Sequence, residues 1–334
     1  MKRKLITLLI NLALFLTLPV ARAADGGHVD SLYLDARAAF HQQLQEGRYS
    51  SHLLGEYFNL NMYGRLTDNL SYRIRYRFNK PSTTAADMVN AADYLYLNWQ
   101  VNERWSFLAG KQVSMIGGYE YAAVPIDTYS LSRFCESMER AYAFGLSTTC
   151  KVAPHQDLTL QFINSPLTPG SENIYALNLG WTGRFAPWWH TIWSCNFIED
   201  AACEVLNYVA LGNRFTCGNL ALELDLTNRC GMGQKKWLLS DYSAVANIVW
   251  SVGKWNLCAK AGYERNDSRN VDSKGRAYDS VLAPGSDYRY TCAGVEYFPL
   301  GSKTVRLHAM YYRDSSLRRD NFDVGITWRL DIIK

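Results

Sequence analysis

Apolar and polar residues alternate along most of the chain, in segments of about ten residues. In the clearest segment, 70–78, apolar side chains share one face and polar ones the other: Tyr72, Ile74, Tyr76 and Phe78 against Ser71, Arg73, Arg75 and Arg77. A period of two is the pattern of a β-strand whose faces meet different environments. About ten tilted strand residues span a bilayer, so the pattern predicts membrane-crossing strands.

About sixteen such strands are predicted, starting with 31–42 and 56–66, and fourteen or eighteen remain possible. Short turns alternate with longer polar connections, of which the clearest are 79–91, 114–140, 228–240, 266–287 and 313–321. This order is typical of an all-β, antiparallel, up-and-down transmembrane β-barrel with short periplasmic turns and longer extracellular loops. We therefore predict this fold class.

A secreted β-sandwich array or a propeller also contains many short strands. No repeat of about 40 residues is visible, although a propeller would show one. Both faces of a propeller strand pack inside protein, so the three alternating arginines of 70–78 would be hard to place there. The pattern favours the membrane barrel over these soluble folds.

The N-terminus has the three parts of a secretory signal peptide. Lys2, Arg3 and Lys4 precede an apolar stretch over 5–18, and Ala21-Arg22-Ala23 forms a cleavage site. The alternative is an uncleaved anchor, but this stretch is shorter than the ~20 residues that a spanning helix needs. We predict that 1–23 is removed and that 24–334 forms the barrel, in the outer membrane of a Gram-negative bacterium.

Cleavage changes the charge. The formal charge of +4 belongs to the precursor, whereas the mature chain keeps 31 of the 35 basic residues and all 31 acidic ones. A net charge of zero and the lack of a basic run argue against nucleic acid as a partner. The 22 Tyr and 10 Trp are typical of a barrel whose aromatic residues meet lipid head groups at both interfaces.

A barrel of about sixteen strands leaves a water-filled lumen. The longest connection, 114–140, is the best candidate for a loop that folds inward and constricts it, although an ordinary surface loop remains the alternative. Arg73, Arg75 and Arg77 form a row along one strand whose guanidinium groups could bind phosphate or carboxylate, or could neutralise acidic neighbours on the wall. The alternation also predicts lumen-facing Arg65, Arg184, Lys260, Arg306 and Arg329, with Glu223, Asp225, Glu264, Glu296, Asp323 and Asp331.

Two motifs followed by a glycine-containing strand, Gly110-Lys111-Gln112 and Ser137-Met138-Glu139-Arg140-Ala141, resemble the phosphate-selective porin O and P family. By motif, the resemblance covers about residues 104–147. It implies a trimeric sixteen-stranded porin with a constriction loop and an arginine ladder for anions. The candidates for pore-lining or anion-binding residues are Arg73, Arg75, Arg77, Lys111, Arg133, Arg140 and Arg306.

We therefore expect a passive channel for small hydrophilic solutes, with lipid, solutes or anions and two further copies of the chain as partners, and without a cofactor or metal. A barrel lipase or protease is the enzymatic alternative, but none of the six histidines has a G-x-S-x-G or HExxH context. A structural or adhesion barrel without conductance is a third possibility. Cys195 and Cys203 could form a disulfide, although free thiols are favoured.

Overall fold

The computed structural model describes residues 27–80, 84–138, 141–202, 204–267 and 281–333. In these ranges sixteen antiparallel strands form one closed barrel, because the last strand pairs with the first. This confirms the predicted fold class and strand number. The strands are β1 (His28–Gln45), β2 (Arg48–Thr67), β3 (Leu70–Arg77), β4 (Ala92–Gln100), β5 (Trp105–Val113), β6 (Tyr142–Ala153), β7 (Gln156–Asn164), β8 (Tyr175–Ala186), β9 (Trp189–Glu199), β10 (Val205–Cys217), β11 (Leu220–Gly231), β12 (Asp241–Val252), β13 (Trp255–Asn266), β14 (Ser286–Tyr297), β15 (Val305–Asp314) and β16 (Arg319–Ile333).

The two faces of each strand meet different environments, as the alternation predicts. On β8, Leu177 and Leu179 are exposed on the outer wall, while Ala176 and Asn178 are buried on the inner one. Exposed apolar side chains on the outside suit a wall that is solvated by lipid acyl chains. The molecule therefore has its polar residues and its buried core inside the barrel.

The first hairpin differs from its prediction. Its turn is Glu46-Gly47, so β2 begins at Arg48 rather than near residue 56. The cause is a β-bulge, since Glu56 has no partner where Arg37 pairs with Tyr57 and Ala38 pairs with Gly55. The extra residue reverses the order of inward and outward positions along the strand. The alternating patterns of the two halves of β2 therefore do not join into one continuous strand pattern.

Short helices occupy two of the connections. Helix α1 (Ala85–Ala91) lies between β3 and β4, whereas α2 (Tyr119–Ala122), a 3₁₀ turn (Pro125–Asp127) and α3 (Arg133–Ser137) lie between β5 and β6. Among the described residues, none of these helices has the length and apolarity that a membrane span requires. The predicted signal peptide 1–23 and the predicted site residue Arg140 lie outside the described residues, so both predictions stay untested. Cys203 also lies outside them, so the preference for free thiols over a Cys195–Cys203 disulfide stays untested as well.

Candidate pore constriction

The segment 114–138 lies inside the barrel, because its backbone is bonded to side chains on the inner wall. The backbone amides of Tyr119 and Glu120 donate to the two carboxylate oxygens of Asp225 on β11, at 2.8 and 2.7 Å. A carboxylate that accepts two backbone N–H groups forms strong, charge-assisted hydrogen bonds. Asp225 therefore fixes the start of α2 against the wall.

A second carboxylate holds α3 in the same manner. Glu264 on β13 is fully buried and accepts the backbone N–H groups of Arg133 and Phe134, at 2.6 and 3.0 Å. Ser243 on the neighbouring strand donates to the same carboxylate at 2.5 Å. Both acidic residues were predicted to face the lumen, and their partners turn out to be the amides of the inward segment.

Glu120 is the buried acid of the segment itself. It forms an ion pair with Lys260 of β13 at 2.6 Å and accepts hydrogen bonds from both the backbone and the hydroxyl of Ser132. Burial raises the pKa of Glu120, but the ion pair and the Ser132 hydrogen bonds outweigh burial, so its pKa lies below the ordinary value. The stabilisation is therefore complete at neutral pH and is lost as the pH falls through this lowered pKa.

Two arginines of the wall hold the middle of the segment. Arg37 on β1 donates to the carbonyls of Ile126 and Thr128, at 3.1 and 2.9 Å. Arg306 on β15 donates to the carbonyl of Ile126 at 2.8 Å and forms ion pairs with Asp127 and with Glu296 of β14. The sequence prediction included Arg306 and missed Arg37. Arg37 nevertheless lies on the polar face of β1, which the alternating pattern of that strand defines.

The segment divides the lumen unequally. Its apolar side chains pack against inward residues of β7–β10 in one buried cluster that includes Ile116, Tyr121, Phe134, Ile163, Ile198 and Tyr208. Its other side borders a cavity of about 360 Å³ toward the long loops and one of about 440 Å³ toward the short turns. Thr128, Tyr129 and Ser130 line both cavities and therefore lie between them.

The predicted arginine row lies on the opposite inner wall, and two of its members share one acid. Arg75 and Arg77 of β3 both form ion pairs with Asp93 of β4, each at 2.7 Å. Arg75 and Asp93 are buried, with 3% and 1% of the side chain exposed. One carboxylate balances only one of the two positive charges, so Arg75 and Arg77 share a single acidic partner within the wall.

Arg73 differs from its two neighbours. Among the described residues its partners are aromatic, because its guanidinium carbon lies 3.8 Å from the ring centroid of Tyr94 and 4.8 Å from that of Tyr63. It lines a third cavity of about 460 Å³, between β3–β9 and the inward segment. Arg73 is thus the cation of the row that keeps its positive charge uncompensated by a carboxylate.

The other predicted site residues are dispersed. Lys111 of β5 donates to the carbonyls of Val89 and Asn90, near the end of α1. Arg133 pairs with Glu136 and Asp314 on the far side of the lumen. The structure therefore brings Arg73, Arg75 and Arg77 together on one wall and separates them from Arg133 and Arg306.

Sequence reasoning missed three acids that form ion pairs with arginines. Asp30, Glu56 and Asp93 each occupy the extra position of a β-bulge, opposite no residue of the neighbouring strand. Asp30 forms an ion pair with Arg65, Glu56 with Arg37, and Asp93 with Arg75. Since bulges re-aim side chains and break the alternation, a pattern with a strict period of two cannot find them.

Known proteins share features of both sequence and fold with this chain. The sequence profile of the phosphate-selective porin O and P family matches residues 49–191, which confirms the predicted resemblance. No curated protein matches the chain.

Several solved structures share the barrel. Salmonella typhi OmpF in complex with daunomycin is 13% identical over 92% of this chain and 98% of that chain, with a TM-score of 0.68. An anion-selective porin from Comamonas acidovorans is 9% identical over 91% and 100%, with a TM-score of 0.64. The outer membrane channel DcaP of Acinetobacter baumannii is 12% identical over 94% and 100%, with a TM-score of 0.63. The fold is that of outer-membrane porins, and the chain is located in the Gram-negative outer membrane.

Proposed function

We propose that this outer-membrane porin is a passive, water-filled diffusion channel for small hydrophilic solutes with a weak preference for anions such as phosphate. The observation that carries the preference is Arg73, which lines a lumen cavity without a carboxylate partner among the described residues. A fixed cation on the pore wall raises the local concentration of anions. The porin-type fold and the family match favour a channel over an enzyme.

The preference is weak because most lumen cations are compensated. Arg37 pairs with Glu56, Lys260 with Glu120, and Arg306 with Asp127 and Glu296. In the row of three arginines that the resemblance implies as a ladder, Arg75 and Arg77 share one carboxylate and Arg73 alone has no carboxylate partner among the described residues. This supports general diffusion with modest selectivity rather than a strict phosphate filter.

The segment 114–140 acts in this proposal as the constriction loop. Its described part is anchored to β1, β11, β13 and β15 and lies between two lumen cavities. A segment held by so many strands sets the width of the opening, because its position cannot change without breaking several charge-assisted bonds.

Bilayer recording of the purified protein in a KCl gradient tests the function. The wild type should give a stable conductance and a reversal potential of the sign expected for anion preference. Arg73→Gln should lower the chloride-to-potassium permeability ratio by up to about fivefold, since one charge contributes about 1 kcal/mol at 4 Å in water. The matched control is Arg48→Gln, which removes the same charge at the exposed first turn.

Silence across many insertions would refute the channel. An unchanged permeability ratio in Arg73→Gln would refute the role of Arg73 while leaving the channel intact.

A homotrimer is the assembly that the resemblance implies. The outer face of β2 supports it, because Leu53 and Phe58 remain 82% and 45% exposed. Phe40 of β1 pairs with Leu53 and extends the same apolar face. We propose that β1 and β2 contribute to the contact between subunits.

A further inference from the structure

The outer wall carries two arginines near the long-loop ends of β13 and β14. Glu264 of β13 faces the lumen, so Arg265 faces outward. Tyr290 of β14 is buried inside, so Arg289 faces outward by the same alternation. Outward arginines are costly at the bilayer midplane but much less so near the interface. Their height on the wall therefore decides what they can contact.

Their height follows from β13. Trp255 and Arg265 lie on the same outer face ten residues apart, with Leu257, Ala259 and Ala261 between them. At ~3.4 Å per residue and a tilt of ~40°, ten residues rise about 26 Å, which matches the ~25 Å apolar band of such barrels. Trp255 then lies at the inner interface and Arg265 at the level of the outer-leaflet head groups.

Neither arginine forms an ion pair with a carboxylate of the described residues. The guanidinium of Arg289 lies 5.4 Å from the ring of Tyr263, and the hydroxyl of Tyr263 donates to the nearby Asp287 at 2.8 Å. On the next strand, Arg313 is instead paired with Asp320 at 3.2 Å. Within the described residues, Arg265 and Arg289 thus keep N–H groups that no carboxylate accepts.

The loop 232–240 extends this surface sideways. Asn228 of β11 lies on the outer face opposite Tyr242, which in turn lies opposite Arg265. The Asn228 amide donates to the carbonyl of Trp237 at 2.8 Å and accepts from the backbone of Leu239 at 2.7 Å. These two bonds fold the loop onto the outside of the wall, beside the arginines.

The exposed residues of this loop combine charge with apolar surface. Lys235 and Lys236 are exposed and are followed by Trp237 and Leu238, which are 53% and 73% exposed. Neither lysine has an acidic partner among the described residues. Cations beside large apolar side chains are complementary to an anionic lipid, whose head group is charged and whose chains are apolar.

We propose that this surface binds the phosphorylated glycolipid of the outer leaflet. The lipid-binding patch comprises the loop 232–240, Tyr242, Tyr263, Arg265 and Arg289. The planar forks of the two arginines bind phosphate oxygens, the tyrosines lie at head-group level, and Trp237 and Leu238 contact acyl chains. The patch lies on the lipid side of the wall, so it is independent of conduction through the lumen.

The test uses the full-length mature protein in detergent micelles, with diphosphorylated lipid A as the probe and its dephosphorylated form as the matched lipid. Native mass spectrometry measures the fraction of protein with bound lipid. Arg265→Gln/Arg289→Gln should lower the binding of the phosphorylated lipid at least tenfold, to the level of the dephosphorylated lipid on the wild type. Lys235→Gln/Lys236→Gln should cause a smaller loss.

Control variants separate a lipid site from a free-anion site and from a subunit contact. Arg313→Gln and Arg48→Gln should bind lipid as the wild type does, and all variants should keep wild-type conductance and heat-modifiable gel migration. Equal retention of both lipids, or undiminished binding by the double arginine variant, would overturn the proposal. So would competition by millimolar inorganic phosphate, which indicates a free-anion site, or a loss of oligomers without a loss of lipid, which indicates a subunit contact.

Discussion

At the scale of single residues, three carboxylates at β-bulges contribute to charge compensation beside those that the alternation places in the lumen. Alternation alone predicted that Arg73, Arg75 and Arg77 face the lumen, and the structure agrees. It could not predict that Asp93 lies between Arg75 and Arg77, because the register of β3 and β4 shifts at this point. The lumen-facing positions of the arginines were therefore predictable from the sequence, whereas the number of arginines without a carboxylate partner of their own was not.

Asp93 offers a substitution that tests this compensation. Asp93→Asn should raise anion preference, because it removes the one carboxylate that Arg75 and Arg77 share and so adds one net positive charge to the lumen wall. It should also lower the melting temperature, since removing one partner of a buried pair costs about 3–5 kcal/mol. Reversal potentials in a KCl gradient and thermal unfolding measure the two effects.

Asp200→Asn is the matched control, because Asp200 caps the β9–β10 connection with hydrogen bonds to Ala202 and Glu204. It should leave the reversal potential unchanged. A permeability ratio in Asp93→Asn equal to that of the wild type would contradict the idea that the bulged acid sets the lumen charge.

At the scale of elements, the segment 114–138 is held by side chains of several strands rather than by its own secondary structure. Its helices α2 and α3 have four and five residues, too short to be stable alone. In the sequence, the length of the connection indicated the segment, and the alternating pattern of the strands indicated the acids that face the lumen. It could not match Asp225 and Glu264 to particular amides, since that pairing depends on contacts between residues more than a hundred positions apart.

Asp225 is the anchor whose loss should affect conduction most directly. Asp225→Asn keeps the size of the side chain but leaves one oxygen for the two amides of Tyr119 and Glu120. Loss of a charge-assisted bond of about 1.5–3 kcal/mol should loosen the segment and increase open-channel current noise. Single-channel recording measures this change.

Glu199→Gln serves as the comparison, because the Glu199 carboxylate on β9 accepts the backbone N–H of Tyr175 on the neighbouring strand rather than an amide of the segment. Its noise should stay at the wild-type level. Identical noise in both variants would mean that Asp225 does not restrain the segment.

At the scale of the whole molecule, the pairing of β1 with β16 removes both free edges of the sheet. Closure was predictable from an even number of strands with alternating faces. The association of closed barrels into oligomers was not predictable from the sequence, because lipid-facing and subunit-facing side chains share the same apolar character. The exposed face of β2 is the physical basis on which we propose the trimer contact.

Leu53→Gln/Phe58→Gln should shift the purified protein from trimers to monomers in mild detergent, because two polar amides replace the apolar surface at the proposed contact. Native electrophoresis and light scattering measure the oligomer. Leu211→Gln/Leu224→Gln, on the outer face of β10 and β11, should leave it unchanged. Trimers that persist in the β2 variant would exclude this face as the contact.

The alternation on β13 has a consequence for how the protein can evolve. Lys260 and Glu264 hold the inward segment, while Tyr263 and Arg265, one position away, face the lipid. Alternate residues of the same strand thus meet two unrelated requirements, which are anchoring of the inward segment and contact with lipid. A substitution at a lumen-facing position can change permeation without altering the lipid-facing surface. A substitution at a lipid-facing position can change that surface without altering permeation. A single inserted residue would exchange both sets at once, so we expect β13 to tolerate replacements far more readily than changes in length.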